Sequence, residues 1–466
     1  MVDVNDVDYT VKVDVKQLEP ATVYYYQFSV AKGAVKTAVG RTKTLPAEDA
    51  AVDKIAIASV SCAYYAYGEF TAYGKIAEKY EDLDIVLHLG DYIYEYGNVN
   101  GADGTESALF SKVLLAQQSR APVGKSMLPP TTCVSLEDYR QRYALYHTDV
   151  NLVELHRVLP WIVVPDDHEV VDNGYEDGAA AHDPATQGPY QLRVNAGLRA
   201  WHEWVPNRQF RAPAAYQRFY RAFQFGTLAE LIMLDTRYDG RDKQAPQPTS
   251  ADDFVDYAKI TATNKIMGDV QMAWITDKLA TSTAQWKVIG NQVPFTDTVD
   301  IKTVAANPLT IALINTDSWA GYKASQQQLL AAMENVQDVI ILTGDIHTPF
   351  AMQVFQKANG QPYAAEYVTT SITSPGIGEF AQDGLGIGPA IQNIIVDAVL
   401  ASPNVVNLEL FCHGYHITTY TATEVTAQYY CMDDIHDPTN AAERESWKYV
   451  TCSGTNTVVE AADAAC

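Results

Sequence analysis

Four short apolar runs in this chain each end in a residue that can bind a metal ion. In chain order they lead into Cys62, Gly90-Asp91, Asp166-Asp167-His168-Glu169 and Gly344-Asp345-Ile346-His347. Apolar runs of this length indicate buried β-strands, and in an open α/β sheet ligands bind just beyond the carboxyl ends of the strands. The pattern therefore predicts an α/β fold with a metal centre at that edge.

The second motif, Gly90-Asp91 followed by Tyr94, contains an unusual type of ligand. The glycine lets the backbone turn tightly around an ion, which places Asp91 for metal binding. A phenol has an ordinary pKa of about 10, so Tyr94 binds well only to a strongly Lewis-acidic ion such as ferric iron. Alone, the motif fits equally well a turn-capping aspartate and a packed tyrosine.

The chain has 466 residues, 47% of them hydrophobic, which predicts a large catalytic domain with an appendage. Period-two alternation in Tyr9 to Val15 and the apolar Val23 to Phe28 predict two strands of a small, fibronectin-like β-sandwich region over residues 1–48. Residues 49–466 are predicted to form the catalytic domain, with a cysteine-containing tail.

Strands alternate with helices after Ile55. We predict helices over Thr71 to Tyr80, Leu136 to His147 and Tyr190 to Val205. The stretch from Gly97 to Pro130 has little periodicity and is rich in glycine and proline, which is typical of a lid over a site or of a surface loop.

Charge excludes some functions. Acidic residues outnumber basic ones by 57 to 33, a formal net charge of -24, which repels nucleic acid and anionic membranes. No apolar run reaches about 18 residues, so we expect no membrane span. The composition leaves the oligomeric state open.

Cysteine positions bear on the compartment. Cys412, Cys431, Cys452 and Cys466 crowd into the last part of the chain, which favours a disulfide framework with three possible pairings over reduced core cysteines. The first residues lack the features of a signal peptide. We therefore expect a secreted or periplasmic protein whose export signal is absent from this sequence, with a cytosolic protein as the alternative.

Further motifs accompany the strand-end residues in a specific order. They are Tyr139-Arg140-x-Arg142-Tyr143, Asp235-Thr236-Arg237, Ser318-Trp319-x-Gly321-Tyr322 and Ser371-Ile372-x-Ser374-Pro375-Gly376. As a set, these motifs resemble the PhoD-like alkaline phosphatase and phosphodiesterase branch of the metallophosphoesterases. The resemblance implies a metallophosphoesterase-type β-sandwich flanked by helices, an α/β fold, and it covers most of the chain.

The resemblance also implies a set of metal ligands. Cys62 and Tyr94 would bind Fe3+, because thiolate and phenolate donors favour the ferric state. Asp91 would bridge this ion to Ca2+, a hard cation that suits carboxylates. The remaining implied ligands are Asp167, Asn173 and Asp345 for calcium and His347 for iron. Asp172 stands where relatives often have Asn, so either Asp172 or Asn173 would bind.

The implied reaction is hydrolysis of a small phosphate ester by a metal-bound hydroxide. His168 is the candidate acid, and Arg237 is a candidate phosphate clamp, although Arg237 and Arg140 fit structural ion pairs equally well. Ile93 stands where some similar phosphatases have Arg, which leaves monoester, diester and phospholipid substrates open. A phospholipase D-like phosphodiesterase and a non-catalytic, calcium-holding secreted binding protein are the alternatives.

Overall fold

The computed structural model describes residues 4–30, 33–98, 111–116, 126–208, 218–248, 253–299, 314–464 and 466. Its helices are α1 Thr71–Glu78, α2 111–116, α3 Leu136–Tyr146, α4 Val150–Val158, α5 Pro184–Gln187, α6 Tyr190–Trp204, α7 Phe254–Thr261, α8 Asp269–Thr281, α9 Lys323–Met333, α10 Ile377–Glu379 and α11 Pro389–Leu400, with 3-10 turns at Val4–Val7 and Trp319–Gly321 and a π-helical turn at Phe380–Gly384. The three helices predicted from the sequence are confirmed as α1, α3 and α6, each ending one or two residues earlier than predicted.

Eighteen strands form the sheets of the described chain. They are β1 Val23–Tyr26, β2 Ser29–Val30, β3 Val35–Lys36, β4 Gly40–Lys43, β5 Ile55–Val60, β6 Ile85–His88, β7 Trp161–Val163, β8 Arg221–Phe225, β9 Ala229–Met233, β10 Trp286–Asn291, β11 Val339–Thr343, β12 Phe350–Gln356, β13 Pro362–Val368, β14 Val405–Leu408, β15 Gly414–Tyr420, β16 Glu424–Met432, β17 Glu443–Cys452 and β18 Val459–Glu460.

Two seven-stranded sheets dominate the fold. Their strand orders are β18-β17-β16-β15-β5-β6-β7 and β14-β12-β13-β11-β10-β9-β8. The largest hydrophobic core contains buried side chains of both sheets, so the sheets pack face to face as a sandwich. The neighbours β5, β6 and β7 run parallel, as do β9, β10, β11 and β13 in the other sheet. The predicted α/β sandwich flanked by helices is confirmed.

The parallel strands are buried on both faces. All six residues of β5 and all five of β11 are buried, which explains why these strands are continuous apolar runs. Just beyond the strands the two sheets join: Ser61 forms an isolated parallel bridge with Ser371, and the Ile372 amide donates to the Ser61 carbonyl at 2.9 Å. The carboxyl ends of both sheets therefore meet at one edge.

The helix α3 shows how local sequence sets an element. Its first turn is closed by a capping box in which Ser135 accepts from the Asp138 amide and Asp138 accepts from the Ser135 amide. Tyr139, Tyr143 and Tyr146 then lie buried on one face. These tyrosines pack the helix onto the core, as their spacing predicts.

The N-terminal region differs from the prediction. The strand expected over Tyr9 to Val15 is wrong, because these residues form no strand and Val11, Val13 and Val15 are each 60% exposed. An alternating pattern needs a partner strand and a face to bury, and the described residues offer this segment neither. Instead, β1 pairs with β4 and β2 with β3, both antiparallel.

Most of the irregular stretch from Gly97 to Pro130 lies outside the described residues, so the lid prediction stays untested. The prediction of disulfides is confirmed, and the pairing is Cys412–Cys431 and Cys452–Cys466. In the described part of the chain, every helix is too short or too polar to cross a membrane.

Candidate metal centre

The predicted ligands converge where the two sheets meet. Several of them stand on strained backbone, with positive φ at Cys62 (59°), Asp91 (55°), Asp345 (69°) and His347 (57°). A non-glycine residue in this region costs of order 1–3 kcal/mol, and such strain clusters at functional sites. The strand-end turns therefore hold these four residues in a backbone conformation that an ordinary loop would avoid.

The first cluster has the donors expected of an iron site. Ligand atoms of Cys62, Asp91 and His347 all lie within 4.8 Å of one another. The Tyr94 hydroxyl donates to Asp91 Oδ2 at 3.1 Å and lies 3.0 Å from His347 Nε2. His347 Nδ1 lies 2.8 Å from the Pro375 carbonyl, so it carries the proton and leaves the Nε2 lone pair facing the cluster.

Carboxylates form the adjoining cluster. Asp166, Asp167 and Asp345 have ligand atoms within 4.8 Å of one another, and Asp91 forms a similar group with Asp167 and His168. Asp91 thus lies between the first cluster and Asp167, which is a member of the carboxylate cluster. Asp167 Oδ1 is buried and accepts no hydrogen bond among the described residues, although Arg237 Nη2 forms an ion pair with it at 3.6 Å. A buried carboxylate oxygen in this state suits a cation.

The alternative between Asp172 and Asn173 concerns the rim of this cluster. The backbone N–H of Asn173 donates to Asp167 Oδ2 at 2.5 Å, and the φ angle of Asn173 is 52°. Burial raises the pKa of Asp172 to about 7, and Asp172 Oδ1 lies 4.0 Å from His168 Nε2. Both residues border the site, so the assignment of Asn173 as a ligand stays a prediction.

In the first cluster, the pKa values of the acidic side chains are shifted in the direction that disfavours their ionised forms unless a positive ion is bound. Burial and the Asp91 carboxylate raise the pKa values of the Cys62 thiol and the Tyr94 phenol well above their usual range. Burial, with neighbouring carboxylates, likewise raises the pKa of Asp91. Burial lowers the pKa of His347 to about 4, so its imidazole is neutral and able to bind a metal. Thiolate, phenolate, carboxylate and imidazole are a set that fits Fe3+.

Arg237 lies inside the carboxylate cluster. Its guanidinium, 1% exposed, forms ion pairs with Asp166, with Asp317 at 2.5 Å and with Asp345 at 3.2 Å. Asp317 also pairs with Arg241 at 2.6 Å. These ion pairs hold the carboxylates in place, and Arg237 contacts them from the buried side of the site.

Arg140 lies elsewhere in the structure. It pairs with the buried Glu203 at 2.7 Å and donates to the Asp6 carbonyl at 2.9 Å. The sequence allows Arg140 to be a phosphate clamp or part of a structural ion pair, and the structure shows the ion pair.

His168 is held in place by a buried carboxylate and an aromatic ring. Its Nδ1 lies 2.7 Å from Glu95 Oε2, and its ring stacks on Tyr94 with centroids 4.1 Å apart. Burial acts to lower its pKa, but Glu95, Asp167 and Asp91 outweigh burial and raise it well above the usual range. The imidazole therefore keeps its proton, with Nε2 turned away from Glu95.

Sequence reasoning missed three residues of the site. They are Glu95, which orients His168, and Asp166 and Asp317, which bind Arg237. Asp166 stands in the Asp166-Asp167-His168-Glu169 motif and Glu95 directly follows Tyr94, so the position of each residue was a signal. Their partners lie 73 and 71 residues away, and no local pattern shows such pairs.

Comparisons with known proteins agree with this geometry. The family model of the PhoD-like phosphatases matches residues 57–429, and that of their N-terminal domain matches residues 2–46. Alkaline phosphatase D of Bacillus subtilis (strain 168) is 32% identical over 448 residues, 95% of this chain and 70% of that protein.

Solved structures extend the comparison. A structure of PhoD matches with a TM-score of 0.77 and 30% identity, over 95% of this chain and 78% of that one. A purple acid phosphatase from yellow lupin (Lupinus luteus) seeds matches at 12% identity with a TM-score of 0.54, over 94% of this chain and 60% of that one, and shares the fold. The match to the family model over most of its length shows that this chain belongs to the PhoD-like phosphatases.

Proposed function

We propose that this protein hydrolyses small phosphate esters at a centre that binds Fe3+ and Ca2+. The observation that carries the proposal is the position of Asp91, whose carboxylate belongs to the group with Cys62 and His347 and also to the group with Asp167 and His168, which shares Asp167 with the carboxylate cluster. A carboxylate has two oxygens and can hold two cations at once. Two adjacent cations are the usual means of clamping a phosphoryl group during in-line displacement.

The ligand sets follow from donor chemistry. For Fe3+, Cys62 supplies a thiolate, Tyr94 a phenolate and His347 an imidazole. For Ca2+, oxygen ligands come from Asp167, Asn173 and Asp345. When bound, the ions supply Lewis acidity that activates water and offsets charge on the phosphate oxygens.

The remaining steps use the chain's own residues. His168, held at Nδ1 by Glu95, donates a proton from Nε2 to the leaving alkoxide. Arg237, buried among Asp166, Asp317 and Asp345, adds positive charge beneath the phosphate and keeps these carboxylates in place. We assign this work to residues 49–466 and treat residues 1–48 as a β region that accompanies the catalytic domain.

The test compares turnover of a phosphate monoester, a phosphodiester and phosphatidylcholine. Protein stripped with a chelator should be inactive and should recover with Fe3+ plus Ca2+ but with neither alone. His168→Gln should lower kcat about 100-fold or more while KM changes little. Full activity of metal-free protein, or of protein holding zinc alone, would contradict the proposal. Calcium binding without turnover of any of the three would favour a binding protein.

We also propose that the protein works outside the reducing cytoplasm. Both disulfides are formed from the four clustered cysteines, and such bonds persist mainly in oxidising compartments. The test is alkylation of denatured protein from the native source, in which Cys412, Cys431, Cys452 and Cys466 should react only after reduction. Four free thiols would place the protein in a reducing compartment.

A further inference from the structure

A hydrogen-bond network behind the first cluster connects α10 to His347. It runs through the peptide bond between Pro375 and Gly376. The carbonyl of that peptide accepts from His347 Nδ1 at 2.8 Å, and its N–H donates to Glu379 Oε2 at 2.9 Å. Because the peptide unit is planar and rigid, fixing its N–H also fixes the direction of its carbonyl.

Glu379 is itself held in place. Its other oxygen, Oε1, lies 3.2 Å from His413 Nε2, and His413 Nδ1 lies 2.9 Å from the Ser371 hydroxyl. Ser371 in turn donates to the Ser374 carbonyl at 2.5 Å, one residue before Pro375. His413 is 7% exposed and the Glu379 side chain 13%, so these bonds are shielded from water.

The same segment packs directly on the backbone of His347. A Cβ on Gly376 would lie 2.6 Å from the His347 carbonyl, so only glycine allows this approach. The Ile377 amide donates to Thr348 Oγ1 at 3.1 Å. The turn that carries His347 and the turn that carries Pro375 are therefore locked to each other.

A simpler reading is that Glu379 only caps the short helix α10, since a glutamate that reaches back to the preceding amide is half of a capping box. Two observations go beyond it. The capped N–H belongs to the peptide whose carbonyl binds His347, and a buried histidine holds the second oxygen of the cap. Capping the helix requires neither.

We propose that Glu379 is a positioning residue for His347, and that it acts through the Pro375–Gly376 peptide with His413 as its support. By keeping the Pro375 carbonyl aimed at Nδ1, Glu379 fixes the proton on that nitrogen and leaves Nε2 free for a metal ion. Partners of this kind are typically worth about 10–100-fold in metal affinity. The inference rests on the proposed role of His347 as a metal ligand.

The first measurement needs no metal and no turnover. Metal-free protein labelled with nitrogen-15 histidine reports the tautomer of each ring by NMR, and His347→Gln identifies the His347 signals. The native protein should show His347 with its proton on Nδ1 alone. In Glu379→Met, which keeps the length of the side chain but cannot accept a hydrogen bond, His347 should populate both tautomers.

Matched variants separate positioning from packing. Glu379→Gln keeps an acceptor oxygen and should restore the single tautomer, although it fills the same space as Glu379→Met. Asp383→Asn removes a half-exposed carboxylate four residues away and should change nothing. The signals of His156 in α4 should stay in place in every folded variant. If Glu379→Met does not fold, His413→Leu should cause a smaller shift in the same direction.

The second measurement is iron release to a chelator, which should be about 10–100-fold faster in Glu379→Met than in the native protein. An unchanged tautomer together with unchanged iron release in folded Glu379→Met would overturn the proposal. The two proposals fail separately. A tautomer change in a protein that hydrolyses no phosphate ester would sink the proposed function and leave the positioning role intact.

Discussion

Replacing Glu95 with glutamine tests the electrostatics around His168. Glu95 Oε2 lies 2.7 Å from His168 Nδ1, and the side chains are only 1% and 9% exposed. The other oxygen of Glu95 accepts from the Asp172 amide at 2.8 Å. Both partners of Glu95 are N–H donors, so Glu95→Gln keeps the size of the side chain but removes the charge and one of its two acceptor oxygens.

The magnitude follows from the burial of the pair. A hydrogen bond to a charged group contributes about 1.5–3 kcal/mol. The pKa of His168 is higher in the fold than its ordinary 6.5, because Glu95, Asp167 and Asp91 outweigh burial. A group with a raised folded pKa stabilises the protein fully below its unfolded pKa and loses that contribution as pH rises through the folded value. Glu95→Gln should therefore cost the full amount near pH 6 and progressively less in alkali.

The assay is urea denaturation of metal-free protein at about pH 6 and at about pH 10. The control is Glu78→Gln, whose side chain is 66% exposed in a surface pair with Lys75 and should change stability by less than about 0.5 kcal/mol at either pH. In the metal-loaded enzyme, the same loss predicts a fall in kcat of about 10–150-fold. Equal destabilisation by Glu95→Gln at both pH values would refute the reasoning.

Four further outcomes are expected. Tyr94→Phe should lose the colour of the purified protein and most of its iron while the metal-free protein keeps its unfolding midpoint, whereas a coloured, fully active variant would make Tyr94 a packing residue. Iron uptake in weak buffer, followed with a pH indicator, should release protons because the pKa values of Cys62 and Tyr94 are raised, and Cys62→Ala should release fewer. Gly90→Ala should destabilise by at least about 1–3 kcal/mol in urea, since φ is +112° and the new Cβ meets a neighbour at 2.3 Å. Replacing both Cys412 and Cys431, 19 residues apart, with alanine should cost about 3 kcal/mol by the same method, and no loss would mean that the sheet register holds this region unaided.

The convergence of the strand-end residues could be predicted because it follows from the order and direction of the strands. β5 and β6 are parallel neighbours, so the turns that carry Cys62 and Asp91 necessarily leave the sheet side by side. The turn that carries Asp345 and His347 follows β11 of the facing sheet, which the face-to-face packing brings to the same edge. Apolar runs with polar ends are visible in a single sequence, and this arrangement follows from them.

Partners that are distant along the chain could not be predicted in this way. The sequence around Arg237 is equally consistent with a phosphate clamp and with an ion pair. The ion pair cannot be recognised locally, because its partner Asp317 lies 80 residues away. The pairing of the four clustered cysteines also needed tertiary structure. Gly414 opposes Cys431 in the β15–β16 register, which brings Cys412 within reach of Cys431 and leaves Cys452 for Cys466. The clustering of the cysteines predicted the disulfide bonds, but the strand register was needed to distinguish among the three possible pairings.

The charges at the site explain why it is built around cations. Carboxylates are concentrated at the site: Asp91, Asp166, Asp167 and Asp317 are buried, and the Asp345 side chain is 15% exposed. Arg237 and Arg241 pair with Asp166, Asp317 and Asp345, and a protonated His168 pairs with Glu95, so the carboxylates outnumber the cations in contact with them. Burial first, and then the neighbouring carboxylates, raise the pKa values of Asp91 and Asp345, so the cluster relieves part of its excess charge by binding protons. Ionising Cys62 and Tyr94 would add two more negative charges, so we expect these two residues to lose their protons only when a metal ion binds, which makes their ionisation and metal binding one event.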